Sequence, residues 1–224
     1  MWSLRKMKMA GFLAVAIAGP AMASPALAQD FTPGAGDVAL RAGPAAVFFD
    51  SSAKFEILGT SLAGADLKAS NGMTLSVEAE VYVIQQVSLA VTVGIPPKSK
   101  VNGRGILEPV GRLGKVKYGL GSAIAKYHFN QSGAFQPFIG GGAAHFVSFR
   151  EYDAAVTNLQ VDSSWGPAVQ AGAEYMLTDH IGLYASATHS WLKTDGTGTF
   201  SGLPISARVT LDPTALQGGL LFRF

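Results

Sequence analysis

The sequence predicts an all-β protein: an eight-stranded antiparallel transmembrane β-barrel with short periplasmic turns and long extracellular loops. Three observations lead there. Hydrophobic residues make up 48% of the chain and charged residues only 14%, which is sparse for a water-soluble domain. Beyond the N-terminal segment no apolar run is long enough for a helical span, and the most hydrophobic stretch stops at Gly94-Ile95-Pro96-Pro97. High apolar content without such a helix leaves a barrel or a deeply buried β fold, and a period-two alternation runs through most of the remaining chain.

The first segment, MWSLRKMKMAGFLAVAIAGPAMASPALAQD, has a basic start (Arg5, Lys6, Lys8), an apolar run from Met9 to Ala18 and small residues closing on Ala26-Leu27-Ala28. That three-part pattern predicts a cleaved secretory signal over residues 1–28, with residues 29–224 as the barrel domain. A cut after Ala23 fits the Ala21-Met22-Ala23 triplet as well. The whole chain holds 17 basic and 15 acidic residues. Three of the basic ones lie in the signal, which leaves 14 against 15 and a formal charge of −1. No basic patch for nucleic acid remains. The absence of cysteine removes disulfides and thiolate metal sites from consideration.

Strands are expected at Val38–Phe49, Met73–Val83, Val87–Ile95, Val116–Phe129, Phe135–Phe149, Trp165–Leu177, Ile181–Leu192 and Ala207–Phe224. The connections between them alternate. Short turns fall at Ile84–Gln86, Asn130–Ala134 and Thr178–His180, and long loops at Asp50–Gly72, Pro96–Lys115, Arg150–Ser164 and Lys193–Ser206. A soluble sandwich has no reason to sort its loops by parity, whereas an outer-membrane barrel does.

The faces support the same reading. Met73, Leu75, Val77, Ala79, Val81 and Val83 alternate with Thr74, Ser76, Glu78, Glu80 and Tyr82. Carboxylates such as Glu78 and Glu80 are costly against lipid, so the apolar parity faces the bilayer and the other faces the lumen. The fourth strand breaks rhythm. Its apolar residues are even-numbered at Val116, Tyr118 and Leu120 and odd-numbered from Ala123 to Phe129, which suggests a β-bulge near Gly121-Ser122. The last strand alternates to its final residue. Phe222 and Phe224, with Tyr127, Phe129 and Tyr175, fall at the short-turn ends, where an aromatic girdle stands.

The segments DSSWGPAVQAGAEYML (162–177), VTLDP (209–213) and FQPFIGGGA (135–143), with the terminal FRF, resemble the OmpW family, which also includes the alkane-uptake AlkL proteins. The resemblance covers essentially the whole predicted barrel domain and is strongest from Phe135 onward. It implies an eight-stranded barrel with a narrow lumen in the bacterial outer membrane that passes small hydrophobic compounds. The partners it implies are outer-membrane lipids and lipopolysaccharide, small hydrophobic solutes, and the assembly machinery that reads a terminal aromatic, here Phe222 and Phe224.

The inward parity can be followed by residue. Arg41, Glu78, Glu80, Lys126, Glu174 and Arg223, with His128 beside them, gather toward the periplasmic end, a charge-matched set able to close it. Higher inward positions, among them Val47, Thr74, Ala144 and Phe146, are small or apolar and suggest a pocket. Eight strands are about filled by their own side chains, so a solid structural or receptor barrel is the competing reading. If the bottom is sealed, a solute must leave sideways. Proline weakens a strand ladder, which makes Pro44, Pro213 and Pro167 candidates for a lateral gate.

Catalysis finds little support. His189 and Ser190 are adjacent on a strand and point to opposite faces, and His145 and Ser148 differ in parity. His128, His145, His180 and His189 lack metal-site spacing. Gly140–Gly142 opens no helix, so no phosphate loop is expected. The reading is therefore no enzyme and no cofactor, with a lipid-modifying barrel enzyme as the remote alternative.

Overall fold

A computed structural model of the chain describes residues 32–224; the expected signal segment lies outside them. The strands are, in chain order, β1 (Val38–Phe49), β2 (Ser52–Ile57), β3 (Thr60–Ser61), β4 (Ala65–Ala69), β5 (Gly72–Ile84), β6 (Val87–Gly94), β7 (Lys98–Gly105) and β8 (Arg112–His128). There follow β9 (Phe135–Asp153), β10 (Val156–Val161), β11 (Ser164–Met176), β12 (Ile181–Ser190), β13 (Lys193–Phe200), β14 (Leu203–Thr210) and β15 (Pro213–Arg223).

Eight of these close into a barrel in the cyclic order β1, β5, β6, β8, β9, β11, β12, β15. Every neighbour pair is antiparallel, and β1 returns to β15 with Ala39 opposite Arg223. Closure leaves no free edge, as a β-sheet in lipid requires. Outward positions such as Leu75, Val77, Leu89, Val91, Val93 and Leu220 are exposed, while Glu78, Glu80 and Leu221 on the other parity are buried. Two aromatic rims bound this apolar surface. Tyr127, Phe129, Phe135, Tyr175, Phe222 and Phe224 are exposed at the short-turn end, and Phe48, Phe149, Trp165 and Trp191 at the other.

Three sequence expectations need correction. The four long connections are not irregular. They fold into β2, β3 and β4, β7 with a 3-10 turn at Glu108–Val110, β10, and the β13–β14 hairpin. The eighth barrel strand begins at Pro213, and Ala207–Thr210 belongs to β14. Finally, no bulge interrupts β8 at Gly121-Ser122, where pairing to β9 runs on through Gly121↔His145 and Ser122↔Ala144. Even positions of β8 point inward from Val116 to the short-turn end, with Val116, Tyr118, Ile124, Lys126 and His128 all buried. The apolar residues change parity because the lumen changes chemistry, from ionic below to apolar above. The register shift lies one strand away: Tyr118 faces Ser148 but Lys117 faces Arg150, so Phe149 is the extra residue of a bulge in β9.

The upper hairpins form a second sheet, in the order β10, β13, β14, β2, β3. Its two-residue turns are Leu58-Gly59 and Ser201-Gly202, all four with positive φ, the geometry of a type I′ hairpin. β4 and β7 instead extend the barrel sheet, because the upper half of β8 pairs with β7 after its lower half has paired with β6. The apolar core of the molecule sits between these two sheets, above the barrel's midpoint.

Candidate functional site

At the short-turn end the lumen is filled by charge. Arg41 of β1 faces Glu78 in register, with Nη1 3.0 Å from Glu78 Oε1. It also pairs with Glu80 and with Glu174 on the far wall. Lys126 pairs with Glu78 and lies 2.8 Å from Glu80, whose other oxygen is 2.8 Å from His128 Nε2. Arg223 pairs with Glu174. All six charged residues expected from parity thus meet in one network. Arg41 and Glu80 are 0% and 2% exposed, so no water column passes between them.

The network is completed by residues the sequence reading did not single out. Thr92 donates to Glu78 Oε2 at 2.8 Å, and Gln170 donates to the same oxygen at 3.2 Å. Gln136 accepts from Arg223 and donates to the carbonyls of Gln131 and Gly133 in the β8–β9 turn. Phe138 lies under the Lys126 ammonium, 4.6 Å from ring centre to nitrogen, which offsets desolvation by a cation–π contact. All four share the inward parity, so the alternation that marked Glu174 would also have marked them.

Above the charges lies an apolar cavity of about 90 Å³. Phe49, Val116, Tyr118 and Phe146 form its floor from the barrel, and Phe55, Leu67, Val156, Ile205 and Val209 its walls from the upper sheets. Of the four residues expected here, Phe146 lines the cavity. Val47 and Ala144 are buried in the same apolar cluster without reaching it. Thr74 stands half-buried at the rim, donating to the Ile95 carbonyl at 2.5 Å. The pocket lies higher than parity suggested because the segments read as loops build most of it.

The candidate gate prolines occupy three different settings. Between β1 and β15 the paired positions run from Ala39↔Arg223 to Ala42↔Leu220 and resume at Ala45↔Gln217. Gly43 and Pro44 fill the interruption, facing Gly218-Gly219, and Pro44 is exposed on the outer face. The backbones crowd there: a Cβ on Gly43 would fall 2.0 Å from the Gly218 carbonyl oxygen. Pro213 stands outside this gap, buried at the start of β15 opposite Phe49. Pro167 pairs in unbroken register with Ala143, so it opens no break between β9 and β11.

Neither histidine considered for catalysis is hydrogen-bonded to a serine among the described residues. His145 stacks on Trp165 with centroids 4.0 Å apart, and His189 Nδ1 is 2.9 Å from Thr214 Oγ1. Among the described residues no group of His, Asp or Glu is arranged to hold a metal ion. At the terminal strand, Val38 and Phe224 exchange both backbone hydrogen bonds, at 3.1 and 2.8 Å. The Phe222 and Phe224 rings lie on the lipid-facing side.

Comparison with known proteins gives this barrel a setting. The family model described as "OmpW family" matches residues 34–224. The chain is 28% identical over 166 residues to outer membrane protein AlkL of Ectopseudomonas oleovorans, covering 74% of this chain and 72% of that one. It is 32% identical over 173 residues to the dibenzothiophene metabolism operon protein PahQ of Pseudomonas aeruginosa, covering 77% and 82%. In three dimensions it resembles the crystal structure of outer membrane protein OprG from Pseudomonas aeruginosa, with a TM-score of 0.82, 22% identity, and coverage of 87% and 99%.

Proposed function

The chain belongs to the OmpW family of bacterial outer-membrane barrels, and from that premise we propose that it gives small hydrophobic molecules a passage through the outer membrane without acting as an enzyme. A solute arriving from outside partitions into the apolar cavity, where burial of its surface contributes roughly 25 cal/mol per Å². The ionic network beneath bars the straight path, because a hydrophobic solute offers nothing in exchange for the broken ion pairs. Exit is therefore sideways into the bilayer. The interruption at Gly43-Pro44 and Gly218-Gly219 is the candidate seam, since Pro44 has no N–H to donate.

The observation that carries this reading is an apolar cavity lying directly above a buried, charge-matched plug. The relative from a dibenzothiophene metabolism operon supports an apolar, aromatic-sized solute class. The test is uptake of a hydrophobic solute such as dibenzothiophene by cells with and without the protein. Faster uptake only when the folded barrel is present is the expected result. Equal rates would leave a structural barrel.

A further inference from the structure

The outer wall carries a feature that passage through the lumen does not use. Going up β8 from the short-turn end, the outward positions are Tyr127, Ala125, Ala123, Gly121 and Gly119, then Lys117 and Lys115. Each lysine is the centre of a row across three strands. Lys117 pairs with Lys98 of β7 on one side and Arg150 of β9 on the other, and Lys115 pairs with Lys100 and Tyr152. Five cations and one tyrosine thus form a two-by-three array. Tyr152 gathers it: the Lys98 and Lys115 ammonium groups lie 5.2 and 5.9 Å from its ring centre, and the Arg150 guanidinium 6.0 Å.

The β9 bulge builds this array. Below it, even positions such as Ala144 and Phe146 point inward. The extra residue Phe149 reverses the parity and turns Arg150 and Tyr152 outward beside the lysines. No carboxylate neutralises the group. None of the five cations has an acidic partner within salt-bridge distance among the described residues. The nearby acids are engaged elsewhere: Glu151 accepts from Ser148, and Asp153 accepts from the backbone N–H groups of Asn158 and Leu159. Like charges placed directly across a strand pair destabilise a sheet, and Lys98↔Lys117 and Lys100↔Lys115 are two such pairs. A wall with no internal counter-charge needs an external anion.

Height identifies that anion. Phe149 lies over Gly119, its ring 2.7 Å from where a Cβ would stand, at the upper aromatic rim. Lys117 and Arg150 stand one pleat repeat above it, roughly 7 Å along the strand, where the acyl region gives way to headgroups. Elsewhere round the barrel this rim presents Phe48, Met73, Trp165 and Trp191, and the array itself stands over β7, β8 and β9 alone. We propose that Lys98, Lys100, Lys115, Lys117 and Arg150, gathered around Tyr152, form a docking site for the phosphate groups of the outer-leaflet glycolipid, the lipid A portion of lipopolysaccharide. The proposal rests on the outer-membrane setting and not on solute transport. Arginine would grip one phosphate with two parallel hydrogen bonds while the lysines supply charge to a second.

The test titrates the folded full-length barrel in detergent with bisphosphorylated lipid A, dephosphorylated lipid A and phosphatidylglycerol, and counts bound lipid by native mass spectrometry. Wild type should hold bisphosphorylated lipid A at least about tenfold tighter than the other two lipids. Lys115→Gln/Lys117→Gln/Arg150→Gln should abolish most of that preference, since each cation near an anionic surface is worth about fivefold. The same charge removal on the other sheet, Lys54→Gln/Lys193→Gln/Arg208→Gln, should leave it intact. If the first triple variant does not fold, by heat-dependent gel mobility, the single changes Lys117→Gln and Arg150→Gln each serve, with a several-fold loss expected. Wild-type binding indifferent to the phosphates, or equal loss in both triple variants, would overturn the site.

Discussion

Arg41 of β1 reaches across the lumen to Glu174 of β11, three strands away by the shorter way round the barrel. Most ion pairs in a barrel can form between neighbouring strands and leave the centre open. This one spans the bore, and with Lys126 and Arg223 it occupies the lower lumen from wall to wall.

Replacing Arg41 by methionine should leave Glu80 and Glu174 short of counter-charge in a site closed to water. Removing one member of a buried ion pair typically costs about 3–5 kcal/mol. Urea unfolding of the barrel in lipid vesicles should report a loss of that order. Glu78→Gln in the same background should recover part of it, because the surplus carboxylate is then gone while Lys126 keeps Glu80 and Arg223 keeps Glu174.

If the cavity receives solute, filling it should slow entry without opening the barrel. Ala207 lines the cavity from β14, and Ala207→Phe places a ring into it. Overpacking of this kind costs about 1–3 kcal/mol, tolerable for a closed barrel. Dibenzothiophene uptake should fall several-fold in cells carrying normal amounts of the folded variant; an unchanged rate would argue that solutes do not pass through this cavity.

The seam makes a directional prediction. Pro44→Val restores an N–H at the ladder interruption and should slow uptake while raising the unfolding temperature. Pro213→Val, at the start of β15 and outside the interruption, should do neither. Similar uptake by both variants and wild type would remove the seam as an exit.

Glycine requirements on the two sides of the wall should differ sharply. Gly43→Ala would press its Cβ against the Gly218 carbonyl and should yield little folded barrel by gel mobility. At Gly121 the nearest atom to a new Cβ is 3.5 Å away, an ordinary contact, so Gly121→Ala should fold like wild type.

How far the sequence could be read follows the chemistry of each face. In the lower barrel the two parities differ starkly, as where Val77 and Ala79 flank Glu78, and alternation gave strands, faces and all six network charges. In the upper part of β8 the rule inverts. Val116 and Tyr118 point into the apolar cavity while Lys115 and Lys117, which alternate with them, face outward above the rim, so parity alone assigns the apolar pair to lipid and suggests a bulge where none exists. The true bulge at Phe149 left no mark, since Phe146 and Phe149 are equally apolar. The β13–β14 hairpin, rich in glycine, threonine and serine, lacks hydrophobic alternation. Its one clear signal was the Ser201-Gly202 dipeptide, a type I′ turn. Pairing across the lumen, such as Arg41 with Glu174, depends on strand stagger, which parity does not contain.

The closing pair Ala39↔Arg223 fixes an order of events. Its partners stand at opposite ends of the barrel domain, so the ladder cannot be completed until every other strand has been made and delivered. Until then Glu174 lacks both of its cations, because Arg41 belongs to the first strand and Arg223 to the last. An unfinished sheet therefore carries exposed edges and unneutralised charge, both strongly disfavoured in lipid. Electroneutrality and edge closure arrive together, with the pairing of the first strand to the last.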